Sequence, residues 1–289
     1  MGCAATIRAV LAAAIFVTAA PAPAAAQATG GADTAALQVA LRAAGAYLGD
    51  VDGIRGPGTA AAVRAVQRVA GLPADGIVGP RTRQALGRRG LHPIGSRAMQ
   101  RGDVGWDVAA LQFALATHGF PSGPMDGVLG MRTVAALQRM QAWAGLPADG
   151  VAGAATLRVL RGAAPRSPVA LRVPVGAAVG SRFGPRGNAF HAGVDFPAPI
   201  GTAVTAAGFG TVVFSGYDAS GFGNMVVIGH RFGLRTLYAH LSSLIVRRGQ
   251  AIGVGETIGA VGATGRASGP HLHFELHLRG ASIDPLSAL

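Results

Sequence analysis

Lysine is absent from this chain, cysteine occurs once, and aromatic residues make up only 6% of it. Each absence excludes something. With Cys3 the only cysteine, the chain closes no internal disulfide and offers no thiol nucleophile or thiolate metal cage downstream. No His-Glu-x-x-His helix motif occurs, which removes the zinc site built on that spacing. No Gly-x-Ser-x-Gly elbow occurs, so serine hydrolase chemistry lacks support. No segment reaches the roughly 20 apolar residues that span a bilayer.

What is present is glycine, apolar residues and arginine. The 289 residues include 45 Gly and are 50% hydrophobic, which supports folded cores rather than a disordered chain. The formal net charge is +12, with +6 on residues 29–164 and +5 on residues 165–289. No nucleic-acid motif accompanies it, so an anionic polymer is the simpler partner. Arg8 precedes a short apolar run over residues 10–20, and Ala24-Ala25-Ala26 and Ala26-Gln27-Ala28 both suit signal cleavage. Residues 1–28 are therefore expected to be a secretory signal peptide. Cys3 stands before the apolar run, which argues against a lipoprotein anchor. The mature protein is expected to be exported, to the periplasm, the cell wall or beyond, without stable membrane insertion.

An internal repeat follows. Ala70-Gly71-Leu72-Pro73-Ala74-Asp75-Gly76 recurs unchanged as Ala144-Gly145-Leu146-Pro147-Ala148-Asp149-Gly150. The same offset of 74 relates Leu37-Gln38 to Leu111-Gln112, Asp52-Gly53 to Asp126-Gly127, Thr59 to Thr133, Gln67 to Gln141 and Thr82 to Thr156. One ungapped offset marks two copies of one unit, over 33–91 and 103–162, each large enough for a small core of its own. Apolar spacing predicts three short helices per copy. In the first copy they cover 35–44, with Asp33 and Thr34 as candidate caps, then 59–70 and 82–86. Asp-Gly dipeptides mark the turns between them. Residues 163–170, with Pro165 and Pro168, read as a semi-rigid linker.

The chemistry is concentrated after the linker. His191-Ala192-Gly193-Val194-Asp195, Tyr238-Ala239-His240-Leu241 and His271-Leu272-His273-Phe274-Glu275 bring imidazoles and carboxylates into short apolar, glycine-flanked segments. On a strand, alternate residues share a face, so His271, His273 and Glu275 point the same way. Imidazole nitrogen and carboxylate oxygen are zinc ligands. Short β-type runs at 211–214, 225–228, 235–238, 257–261 and 271–278 predict a mainly antiparallel β domain over 171–289. His230 and His277 read as structural, and His92 and His118 as solvated.

These segments, together with Ser181-Arg182-Phe183-Gly184, Gly221-Phe222-Gly223-Asn224, Gly269-Pro270 and Asp284-Pro285, resemble the lysostaphin-type zinc endopeptidases of bacterial cell walls, the M23 peptidase family. The resemblance covers about residues 179–285. It implies one zinc ion per catalytic domain, held by His191, Asp195 and His273, with His240 and His271 as catalytic histidines. It implies a zinc-activated water attacking a peptide bond, with the duties of the two histidines left open. Glu275 is either a hydrogen-bond acceptor for a ligand imidazole or a packed strand residue. The repeat resembles the peptidoglycan-binding module of wall hydrolases. The fold class expected is multidomain: two small all-α three-helix modules followed by a mainly antiparallel all-β metallopeptidase domain. The partner implied is peptidoglycan, with no nucleic acid. The alternative is a non-catalytic wall-binding scaffold that recruits another hydrolase.

Overall fold

The computed structural model describes residues 31–289. The expected signal segment, 1–28, lies outside the described residues. Two compact units form: residues 31–162 with 185–190, and residues 163–184 with 191–289. None of the described helices is long and apolar enough to cross a membrane.

The first unit holds six α-helices: α1 Ala32–Ala43, α2 Pro57–Val69, α3 Pro80–Ala85, α4 Trp106–Thr117, α5 Met131–Trp143 and α6 Ala154–Leu160. Three belong to each repeat copy, as the periodicity predicts. Their starts differ from the expected ones for a physical reason. Asp33 and Thr34 lie inside the first turn of α1, whose N-cap is Gly31. Helices α2 and α3 begin two residues earlier than expected, at Pro57 and Pro80, after Gly56 and Gly79. Proline suits that first position because its missing N–H is one the helix could not pair anyway.

The two copies share a cluster of buried residues. Ala35, Ala36, Leu37, Val39, Ala40 and Leu41 of α1 are buried in one cluster with Trp106, Ala109, Ala110 and Phe113 of α4. Alanine-rich faces let two helices approach closely. The Trp106 indole Nε1–H donates to Asp33 Oδ1 at 2.6 Å. The Arg83 guanidinium lies over the same ring, 4.1 Å from its centroid, a cation–π contact. His118, expected in solvent, is instead buried, with Nδ1 2.8 Å from Ala114 O and Nε2 3.2 Å from Gly162 O. His92 is exposed.

A buried polar device recurs four times, twice per copy. Gln38 Nε2 donates to Asp52 Oδ1 at 2.6 Å and Ile54 O at 3.1 Å, while its Oε1 accepts from Gly53 N–H at 2.9 Å. Gln67 repeats this with Asp75, Ile77 and Gly76, Gln112 with Asp126, Val128 and Gly127, and Gln141 with Asp149, Val151 and Gly150. Each Asp Oδ1 also accepts the backbone N–H two residues on. The four glycines have φ between 71° and 79°, a region that glycine enters without steric cost. Each Asp-Gly turn is thus pinned to a helix by one buried glutamine, which satisfies the donors and acceptors that the turn buries.

The second unit is built on antiparallel strands. In chain order the strands are β1 Gly184–Arg186 and β2 Ala189–His191, most of whose residues fall in the 185–190 segment counted with the first unit, and then, in the second unit, β3 Val194–Pro197, β4 Ala203–Thr205, β5 Gly210–Asp218, β6 Gly223–Gly229, β7 Leu234–Ala239, β8 Ser243–Leu244, β9 Ala251–Ile252, β10 Thr257–Ala260, β11 His271–Leu278 and β12 Ala281–Ile283. A seven-stranded sheet runs β12-β11-β7-β6-β5-β9, with β3 also pairing β11. Strands β4, β10 and β8 form a smaller sheet. The five expected strands are all present, and β11 has the bounds that alternation predicts. One face of β11 sends Leu272 and Phe274 into the core with Val194, Phe196, Val226, Ile228 and Tyr238. Alternation then puts His271, His273 and Glu275 on the opposite face. The expected linker has no helix or strand, and from Leu171 the chain is tied down: Leu171 N–H donates to Ala288 O and Arg172 N–H to Ala207 O.

Candidate metal centre and active site

Strand register brings the expected residues together. On β11, His273 lies opposite Asp195 of β3 on one side and Ala239 of β7 on the other. Asp195 Oδ1 is 2.8 Å from His273 Nδ1 and 3.1 Å from His191 Nε2. His191 Nε2 and His273 Nδ1 are 3.1 Å apart. These three groups form a set whose ligand atoms lie within 4.8 Å of one another. Tetrahedral ligands at about 2.0–2.2 Å from a zinc ion would stand about 3.3–3.6 Å apart, a few tenths of an ångström wider than the 2.8–3.1 Å here. The donor set, two imidazoles and a carboxylate, is one that would suit zinc.

The ring orientations follow from what each second nitrogen meets. His191 Nδ1 lies 2.8 Å from Arg182 O, which assigns the proton to Nδ1 and leaves Nε2 facing the cluster. His240 Nδ1 is 2.8 Å from Thr264 O, and His271 Nδ1 is 2.8 Å from Gly269 O. In their neutral forms both therefore carry a bare Nε2. His273 is turned the other way: its Nε2 meets Glu275 Oε1 at 2.9 Å, so Nδ1 faces Asp195 and His191. A hydrogen bond on one ring nitrogen decides which nitrogen is free to bind a metal.

His240 and His271 stand beside this set. Their ring centroids are 4.8 Å apart, and His240 is 5.8 Å from His273. His271 Nε2 is 3.8 Å from Asp195 Oδ1. His240 has φ of 62°, an unusual conformation for a residue with a β-carbon, held here by surrounding contacts. Burial, followed by the charges of His271 and His273, outweighs the Thr264 carbonyl and holds the His240 pKa below its ordinary value. Burial opposes charge on His273 too, but Asp195 and Glu275 on either side overcome it and lift its pKa to about 9. Burial likewise opposes the Glu275 carboxylate, yet His273 and His277 bring it down to about 2. Flanking carboxylates thus favour positive charge at this buried point, which is what a metal cation brings.

Glycines permit the close approach. A β-carbon on Gly193 would meet Phe274 O, with Glu275 Cγ at 2.9 Å and His273 Cε1 at 3.0 Å. The structure therefore gathers all five expected residues, His191, Asp195, His240, His271 and His273. Glu275 takes the acceptor role. His230 is engaged elsewhere, by Phe209 O and Thr236 Oγ1, each at 2.7 Å. Sequence reasoning missed His277, whose Nε2 is 2.6 Å from Glu275 Oε2. Its only signal was the continued alternation 271, 273, 275, 277.

Residues 189–285 match peptidase family M23, and residues 30–86 and 105–160 each match a peptidoglycan binding domain. The DD-carboxypeptidase/endopeptidase Mpg of Neisseria meningitidis is 47% identical over 97 residues, covering 34% of this chain and 22% of that protein. The peptidoglycan DD-endopeptidase ShyA of Vibrio cholerae is 45% identical over 98 residues, covering 34% and 23%. The chain thus spans less than a quarter of the length of these relatives. The catalytic domain of lysostaphin from Staphylococcus simulans is 34% identical, covers 38% of this chain and 90% of that one, and has a TM-score of 0.37. The chain thus carries a peptidase family M23 domain over residues 189–285, with two peptidoglycan-binding domains ahead of it.

Proposed function

We propose that this protein is a secreted, zinc-dependent endopeptidase that hydrolyses peptide cross-links of bacterial peptidoglycan. The observation that carries this reading is the convergence of His191 Nε2, Asp195 Oδ1 and His273 Nδ1, with the His240 and His271 rings packed beside them. Zinc bound there supplies a Lewis acid and lowers the pKa of water from 15.7 to about 7. Two neutral imidazoles and one carboxylate leave a residual charge of about +1 on such a site. His240 and His271, in their neutral forms, present a bare Nε2 to the site. Either ring accepts the proton of an attacking water and returns it to the leaving amine. Once protonated, the same nitrogen donates to a developing oxyanion.

The two peptidoglycan-binding domains support the wall as substrate. Tethering an enzyme to an insoluble polymer raises the local concentration of cleavable bonds. The names of the DD-endopeptidase relatives favour a cross-link between D-amino acids as the bond. The signal-like residues 1–28 and the +12 charge support export to an anionic wall. The test is digestion of purified cross-linked peptidoglycan by protein lacking residues 1–28, with fragments identified by mass spectrometry. New amine and carboxyl ends at the cross-link, absent with His191→Ala, are expected. Protein that sediments with the wall but leaves every cross-link intact contradicts the reading and favours the scaffold.

A further inference from the structure

The lower half of β11 carries a feature that the five-residue site does not use. Alternation puts His271, His273, Glu275 and His277 on one face of the strand. Glu275 is 5% exposed, and both of its oxygens are engaged. Oε1 faces His273 Nε2 at 2.9 Å and Oε2 faces His277 Nε2 at 2.6 Å. The His277 side chain is more exposed, at 26%. The order along the face is therefore a rim imidazole, a buried carboxylate, and then the imidazole whose Nδ1 faces Asp195.

A buried carboxylate held by a single donor is poorly satisfied and free to rotate about its last torsion. Rotation by tens of degrees removes Oε1 from His273 Nε2. His273 then loses the acceptor that keeps its proton on Nε2 and its Nδ1 bare. The second donor fixes the plane of the carboxylate. Carboxylates behind ligand histidines tune metal affinity, and losing such a partner costs about 10–100-fold. The same logic extends one step outward when that carboxylate has an anchor of its own.

We infer that His277 is a positioning residue of the metal centre: it clamps Glu275 so that the carboxylate holds His273 with Nδ1 turned to the ion. His277 stands outside the grouped set of His191, Asp195 and His273 and acts through Glu275. The inference rests on the zinc reading of the His191, Asp195 and His273 set and extends it along β11.

The test is zinc affinity, measured on the chain lacking residues 1–28 by competition with a chromophoric chelator. The variants are His277→Ala, His277→Gln and, as a surface control, His92→Ala. The glutamine amide nitrogen reaches about as far as imidazole Nε2 and can donate to the same oxygen. His277→Ala is expected to weaken zinc binding about tenfold, His277→Gln to recover most of it, and His92→Ala to match wild type. Thermal unfolding of the metal-free proteins runs alongside and shows that each variant is folded at the temperature of the titration. Zinc affinity of His277→Ala within twofold of wild type, or an equal loss in the alanine and glutamine variants, overturns the inference. Wild-type protein that binds no zinc overturns the zinc reading and this inference together.

Discussion

Asp195 on β3 lies directly across from His273 on β11, and its Oδ1 stands 2.8 Å from His273 Nδ1. That one register position joins the two halves of the candidate metal set, which are 78 residues apart in sequence. A slip of one residue between β3 and β11 would turn either group to the opposite face. The site is therefore a consequence of strand pairing, and its behaviour on mutation follows from that.

Asp195→Ala removes the group shared by both imidazoles while leaving the β3–β11 ladder intact. Bound zinc, measured by atomic absorption after gel filtration, is expected to fall from about one per chain to well below one. Cleavage of peptidoglycan is expected to drop by at least 10²-fold, in line with losing a metal that acts as Lewis acid. The far-ultraviolet circular dichroism is expected to stay unchanged.

Gly193→Ala tests the tight packing behind the site. The new methyl group meets Phe274 O and approaches Glu275 Cγ to 2.9 Å and His273 Cε1 to 3.0 Å. Overpacking of this kind costs about 1–3 kcal/mol. The strain falls on β11 at its site-facing residues, so zinc affinity is expected to fall together with the melting temperature. A variant that melts lower yet binds zinc as wild type contradicts this placement.

Tyr238 gives a pH signature from the core face of the sheet, opposite the site. It is fully buried, its hydroxyl oxygen accepts from Ala207 N–H at 2.8 Å, and burial pushes its pKa up to about 12. The unfolded chain loses this proton near pH 10, so the folded form binds more protons between pH 10 and about 12. Stability from this group is complete below pH 10 and is lost as pH rises through that window, by roughly 2–3 kcal/mol. Urea titrations of wild type and Tyr238→Phe at pH 8 and pH 11 check it. The phenylalanine variant is expected to show the smaller alkaline loss.

The four glutamines predict a matching stability effect in the helical unit. Gln141→Ala leaves the buried Gly150 N–H without its acceptor, while Asp149 Oδ1 and Val151 O each lose one donor and keep another, from Val151 N–H and Gly153 N–H. A buried N–H stranded this way costs about 1–3 kcal/mol. Trp106 and Trp143, the two tryptophans of the chain, both lie in the first unit, so their fluorescence follows its unfolding. Gln141→Ala and Gln112→Ala are each expected to lower the urea midpoint, and Arg68→Ala, an exposed change on α2, to leave it unchanged.

Much of this was legible in the sequence, and the gaps have physical causes. Strand β11 was readable to its ends because buried and site-facing residues alternate without a break. The five candidate residues stood out because their spacing resembles one family closely, and the fold brings them together. Helix starts were less legible, since Gly56-Pro57 and Gly79-Pro80 look like breakers and act as starts. The fourfold glutamine device hid behind uneven spacing. Gln38 and Gln112 stand 14 residues before their aspartates, whereas Gln67 and Gln141 stand 8 before theirs. The shared core of the two copies was not legible, because an alanine-rich helix face does not announce its partner. His277 was passed over because it fits no ligand spacing, and its role depends on a contact with Glu275 that only the folded strand displays.

The most direct test of the central claim is a zinc titration of chelated protein, read as free amine ends released from purified cross-linked peptidoglycan. The account predicts no release before zinc is added and a linear rise that breaks at one zinc per chain. His191→Ala is predicted to release nothing at any zinc level. Release that persists in the fully chelated protein, or that His191→Ala regains with zinc, would contradict it.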